Sequence, residues 1–95
     1  MAVKVLIRRK VSAENQQELS ALLRGLRTLT TNREGYISGE SLTRLDSPGE
    51  SLVISTWQTA EDWKQWLQAP ERKALQEKVD ALIGEETVYE LFEHV

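Results

Sequence analysis

The stretch from Leu52 to Trp57, LVISTW, has strand character throughout and runs almost directly into a helix opening at Thr59. It is the most apolar strand-like run of the chain, which suits a central place in a sheet, where both faces are covered. Thr59-Ala60-Glu61-Asp62 fits a capping box, in which the threonine hydroxyl serves a backbone N–H of the first turn. Pro70 suits the first turn of a further helix and biases the residue before it away from helix. Two short helices with a bend are therefore expected, not one long helix. All three tryptophans, Trp57, Trp63 and Trp66, fall within this segment. Trp63 and Trp66 are three apart and share one helical face. Such a face is either a heavy piece of core or the wall of an apolar pocket.

The rest of the chain supplies partners for that strand and those helices. Val3, Val5, Ile7 and Val11 alternate with Lys4, Arg8 and Lys10 at the period of a strand. Leu6 interrupts the alternation, which implies partial burial of the second face. Arg9 falls on the apolar side. It either reaches solvent along its stem at the strand end or offers an anion-binding group at a cavity mouth. Ser12 is placed to cap the next helix, with Glu14 in its first turn. Leu19, Leu22, Leu23, Leu26 and Leu29 recur at helical spacing, a packing stripe. Gly25 lies inside that helix and could allow close approach to the sheet.

Tyr36 to Leu45 read as a second strand, with Gly39 marking a bulge or a close contact with another backbone or a ligand. Asp46-Ser47-Pro48-Gly49 closes a hairpin. Leu75, Val79, Leu82 and Ile83 line the inner face of the last helix, and Gly84 stops it. Thr87 to His94 form the last strand, apolar on both faces. The expectation is one α+β domain over residues 1–95, a ferredoxin-like βαββαβ arrangement with a four-stranded antiparallel sheet. An apolar terminal strand left at an edge is an aggregation hazard. A chain of 95 residues also buries only a modest share of its surface. Both considerations point to a homodimer with the sheets packed face to face.

Several chemistries are excluded. The chain has no cysteine and a single histidine, His94, near its end. Thiolate and His-rich metal sites and nucleophile–base triads therefore lack members. The net charge of −3, with both signs interspersed, offers no basic stripe to nucleic acid. No apolar run is long enough to span a membrane and no signal-peptide pattern opens the chain, so a cytoplasmic protein without membrane partner is expected. Glu61 and Asp62 could act as acids or bases, but their first-turn positions already suit the helix dipole.

Four segments in their order carry a resemblance: Arg33-Glu34-Gly35-Tyr36-Ile37, Val53-Ile54-Ser55-Thr56-Trp57, Ala60 to Leu67, and Ala69-Pro70-Glu71-Arg72. Together they resemble the antibiotic-biosynthesis monooxygenase (ABM) superfamily of dimeric α+β barrels, over nearly the whole chain. Members of that family oxidise aromatic or quinol substrates with molecular oxygen and no cofactor, bind and degrade haem, or are of unknown activity; the alternative for this chain is a non-catalytic small-molecule-binding or structural homodimer whose tryptophans are core. The haem-degrading branch carries a first-strand asparagine, a helix tryptophan and a histidine ten residues after it. Here Trp66 matches the tryptophan, but Gln76 stands in the histidine's place and Ile7 near the asparagine's. Haem degradation is thus not expected. The cofactor-free branch holds an aromatic substrate with a tryptophan and polar groups. That reading makes Trp66 and Trp63 substrate-binding, with Tyr36, Ser38 and Arg9 as hydrogen-bonding candidates, and no cofactor or metal. It names no catalytic group. The expected function is a cofactor-independent monooxygenase acting on an aromatic or quinol-type small molecule.

Overall fold

The computed structural model describes residues 2–84 and 86–95. Strand β1 spans Val3–Lys10; after a 3-10 turn at Ala13–Asn15, helix α1 spans Gln16–Thr30. Strands β2 (Tyr36–Thr43) and β3 (Glu50–Trp57) follow as a hairpin. Helices α2 (Ala60–Leu67) and α3 (Pro70–Ile83) then lead to β4 (Tyr89–Glu93). The sheet order is β2-β3-β1-β4, and every neighbouring pair is antiparallel. This is the ferredoxin-like α+β fold, with β3 and β1 in the centre.

Alternation along β1 decides what faces the helices. Val3, Val5, Ile7 and Arg9 are buried, whereas the residues between them are half-buried or exposed. Across the register, Val5 meets Ser55 on one side and Leu91 on the other, and Ile7 meets Val53 and Tyr89. These residues form the floor beneath the helices. Val3, Val5, Ile7, Trp57, Trp63, Trp66 and Ala69 make one core cluster between sheet and helices. A second cluster, Val11, Leu19 and Val79, joins α1 to α3, with Leu22, Leu23, Leu82 and Ile83 packed against it.

The helix boundaries follow local chemistry, with some departures from the sequence reading. Ser12 makes no side-chain cap; its backbone carbonyl instead accepts from Asn15 N–H at 3.0 Å, and the chain enters α1 through the 3-10 turn. At α2 the expected cap is present: Thr59 Oγ1 accepts from the Asp62 N–H at 3.1 Å and donates to its carboxylate at 2.9 Å. Pro70 stands in the first turn of α3, and Gly84 closes that helix in the left-handed conformation at φ 87°. Gly25 does not face the sheet. A Cβ there would lie 3.5 Å from Leu75 Cδ1, so the missing side chain serves the packing of α1 against α3. The strands are also trimmed: β2 ends at Thr43, and β4 begins at Tyr89, not Thr87.

The face of the sheet away from the helices is partly apolar. Lys4, Leu6 and Arg8 of β1 pair with Thr56, Ile54 and Leu52 of β3, and these in turn with Ser38, Glu40 and Leu42 of β2. Leu42 is 45% exposed and Phe92 of β4 53%. Arg8 and Glu90 form an ion pair on the same face. No helix of the described residues is long and apolar enough to cross a membrane.

Candidate active site

A cavity of about 90 Å³ lies between the sheet and the helices. Ile7, Arg9, Val53, Ser55 and Trp57 form its floor. Trp63 and Trp66 of α2 supply one wall, Leu23, Leu26 and Thr30 of α1 another. Arg72 and Gln76 of α3 close the far side, and Tyr36 and Gly39 lie along β2. Exposed Arg27 and Ser41 also line the cavity, and Arg27 Nη2 donates to Ser41 Oγ at 2.7 Å, linking α1 to β2.

The aromatic wall is a chain of edge-to-face contacts. Tyr36 meets Trp57 with ring centroids 5.4 Å apart, Trp57 meets Trp63 at 5.7 Å, and Trp63 meets Tyr89 at 5.3 Å. Each contact sets the positive edge of one ring on the negative face of the next, the geometry aromatic quadrupoles prefer. Trp57 is fully buried, and its indole N–H donates to Ser55 Oγ at 3.1 Å, so no buried donor is wasted there. Trp66 carries the Arg33 guanidinium 5.3 Å from its ring, and Arg33 also reaches Glu71 at 3.3 Å. That cover explains how Trp66 is 97% enclosed while still lining the cavity.

A bulge positions Tyr36. The register between β2 and β3 slips between Tyr36 and Ser38, so that Tyr36 pairs with Trp57 and Gly39 with Ser55, all on the helix-facing side. The extra residue lets the tyrosine ring lie along its own strand. A Cβ on Gly39 would come within 2.6 Å of Tyr36 Oη, which is why a glycine stands there. Of the two sequence readings of Gly39, the bulge is present beside it, and its close neighbour is the Tyr36 phenol, not another backbone or a ligand.

The polar end of the cavity is built around two arginines. Arg9 is 6% exposed, and its Nε finds no acceptor among the described residues. Burial depresses the Arg9 pKa below the ordinary guanidinium range. Tyr89 opposes that shift, Arg72 adds to it and Asp80 opposes it. Arg72 is equally buried and donates through Nη2 to Gln76 Oε1 at 3.4 Å and to the Tyr89 hydroxyl. Its guanidinium lies over Trp63 at 5.6 Å and over Tyr89 at 5.0 Å. Gln76 Nε2 donates to Asp80 Oδ1 and Thr87 Oγ1, both at 2.8 Å, and Thr87 also donates to Asp80 Oδ1. This network ties the end of α3 to the entry of β4.

Of the residues singled out from sequence, Trp63, Trp66, Tyr36 and Arg9 are brought together around the cavity. Ser38 is not. It pairs with Thr56 and lies in the row facing away from the helices, because the bulge shifts the alternation of β2 after Tyr36. Arg9 lies in the floor instead of at the mouth. Sequence reasoning missed Arg72 and Gln76 as cavity residues and drew the inner face of α3 through Leu75. The signal was present: Arg72, Gln76 and Val79 fall at helical spacing, and all three are buried. Polar residue types masked it.

The sequence profile described as "Antibiotic biosynthesis monooxygenase" matches residues 2–78. The chain belongs to that family. Solved structures agree at the level of fold. A conserved protein from Methanosarcina mazei Go1 superimposes with a TM-score of 0.92 at 20% identity, over 100% of this chain and 94% of that one. SnoaB, a cofactor-independent oxygenase from Streptomyces nogalater, gives 0.88 at 16% identity, over 99% and 93%. Rv0793 from Mycobacterium tuberculosis gives 0.88 at 18% identity, over 100% and 96%. No curated protein matches the chain. The Gln76 amide of this chain is engaged inside the protein by Arg72, Asp80 and Thr87.

Proposed function

We propose that this family member is a cofactor-independent monooxygenase of an aromatic, phenol- or quinol-type small molecule. The observation that carries the reading is the cavity itself, walled by indoles and opening to solvent, with polar groups at its inner end. A site that served only as core would be filled at native density. The likeness of fold to a cofactor-independent oxygenase supports the same reading. In this chemistry the substrate supplies every electron. A phenolate transfers one electron to O2, the radical pair joins at a ring carbon, and the resulting hydroperoxide loses water to leave a quinone carbonyl. One oxygen atom enters the product, the other leaves as water, and no external reductant is consumed. The protein's part is to exclude water and hold the ring in a reactive orientation.

The test is oxygen uptake with a panel of monocyclic and bicyclic phenols and quinols, followed by mass analysis of products formed under ¹⁸O2. One labelled oxygen per product is expected. Trp66→Phe should weaken substrate binding while leaving the melting temperature nearly unchanged, because an aromatic body still packs beneath Arg33. No uptake with any member of the panel, or a Trp66→Phe variant indistinguishable from wild type in binding, sinks the reading.

The same proposal includes a homodimer formed through the helix-free face of the sheet. Leu6, Leu42, Leu52, Ile54 and Phe92 place apolar surface there, and Leu42 and Phe92 remain largely exposed in one chain. An obligate interface of this kind buries more than about 2,000 Å² in total. Sedimentation velocity at micromolar concentration should show a dimer, and Ile54→Lys should convert it to monomer. A wild-type protein that sediments as a monomer counts against this part alone.

A further inference from the structure

Two guanidinium groups at the inner end of the cavity lack a full complement of counter-charge. Arginine keeps its charge at neutral pH, so neither can escape by losing a proton. No ion pair among the described residues engages Arg9 or Arg72. Asp80 is the carboxylate acting on Arg9, and its Oδ1 already accepts from Gln76 and from both the hydroxyl and the N–H of Thr87. Glu40 also lines the cavity, yet neither Arg9 nor Arg72 lies within ion-pair distance of a carboxylate among the described residues. Burial of such a charge is costly, and an apolar side chain of similar volume is usually the more stable choice. Arg9 even stands in line with Val3, Val5 and Ile7, where valine or leucine would complete the floor.

The two groups are also oriented. Arg72 is stacked on two rings and hydrogen-bonded at one end, and Arg9 presents a donor with no acceptor. A planar carboxylate matches guanidinium forks, accepting two parallel hydrogen bonds from each. The space sets the ligand's size. At about 90 Å³ the cavity is smaller than the roughly 150 Å³ that holds benzene in an engineered core. It takes a carboxylate and the near part of one ring, with the remainder reaching toward Arg27 and Ser41.

We infer that the cavity recognises a monocyclic aromatic carboxylate, its carboxylate held by Arg9 and Arg72 and its ring against Trp63 and Trp66. The inference deepens the reading of this cavity as the substrate site, yet its binding test is independent of turnover. Benzoate and benzamide have the same shape and differ in charge, and neither is a substrate for the phenolate chemistry. Titration of each, followed by tryptophan fluorescence and calorimetry at neutral pH, should show benzoate binding at least tenfold more tightly. Arg9→Met should bring the ratio close to one and leave the free protein as stable as wild type or more so. Arg9→Lys should keep part of the preference. A wild-type ratio near one, no benzoate binding at millimolar concentration, or an undiminished ratio in Arg9→Met overturns the inference. The wild-type comparison needs no variant and stands even if a substitution impairs folding. Oxygen uptake with 2,5-dihydroxybenzoate separates the two readings: benzoate preference without uptake removes the oxygenase and keeps the carboxylate site.

Discussion

Trp57→Ala should destabilise the protein by about 3–5 kcal/mol, the cost of removing a large buried aromatic side chain from a packed site. Three things are lost together at this position. The indole is fully buried, it is the middle ring between Tyr36 and Trp63, and it satisfies the Ser55 hydroxyl. In a domain of this size each kcal/mol lowers the melting temperature by about 4–8 °C, so a fall of roughly 12 °C or more is expected. Total stability for such domains is about 5–15 kcal/mol, which puts the variant close to unfolding. Trp57→Phe should recover most of the loss, because the ring contacts return and only the bond to Ser55 is missing. Thermal and urea melts of the two variants decide the matter. A Trp57→Ala protein within about 1 kcal/mol of wild type would mean the site relaxes around the void, against the close packing expected of a core.

Gly35→Ala is expected to cost roughly 2–3 kcal/mol, the sum of a left-handed backbone forced on a Cβ-bearing residue and a disturbed helix cap. Gly35 has φ 84°, and a Cβ there would lie 2.5 Å from Asp62 Cβ. Since that atom is attached directly to the α2 backbone, rotation of the aspartate cannot relieve the clash, and the first turn of the tryptophan helix must move. The Gln58 N–H donates to the Gly35 carbonyl at 2.7 Å, so the junction of β3 and α2 moves with it. Gly84→Ala provides the comparison. Its φ is 87°, but a Cβ there meets nothing within 4 Å, so it reports the backbone term alone. Urea denaturation of both variants should show Gly35→Ala as the more destabilised. If the two melt alike, the contact with Asp62 contributes nothing.

The order of elements was legible because each carries its own local signal. The capping box at Thr59, the proline at position 70 and the glycine after Ile83 fixed the helix limits, and the alternation of β1 fixed its inner face. Features that depend on contacts between distant segments were not legible. Gly39 signalled a bulge in β2, but the place of the register shift, between Tyr36 and Ser38, and the turning of Ser38 away from the cavity arise from pairing with β3. Gly25 was assigned to the wrong neighbour because its partner, Leu75, is remote in sequence. Ser12 has the right residue type for a cap but precedes a 3-10 turn, in which its backbone carbonyl takes the first hydrogen bond. Arg72 and Gln76 were hidden by their own polarity: a helix face is read by its apolar residues, whereas a binding site replaces some of them with charged or polar ones. Arg9 presented the same conflict and was visible only because it interrupted a strict alternation.

The cavity occupies the space between sheet and helices, beside the core cluster of Val3, Val5, Ile7, Trp57, Trp63, Trp66 and Ala69. A ligand that enters it is therefore a missing part of the hydrophobic interior, and occupancy and folding become a single equilibrium. At a ligand concentration one hundred times the dissociation constant, that linkage adds about 2.7 kcal/mol to the native state. Such an increment is a sizeable fraction of what holds a chain of this length together. The unliganded protein would spend more time open to proteolysis, and its lifetime would follow the supply of whatever ligand fills the cavity, without any separate sensor.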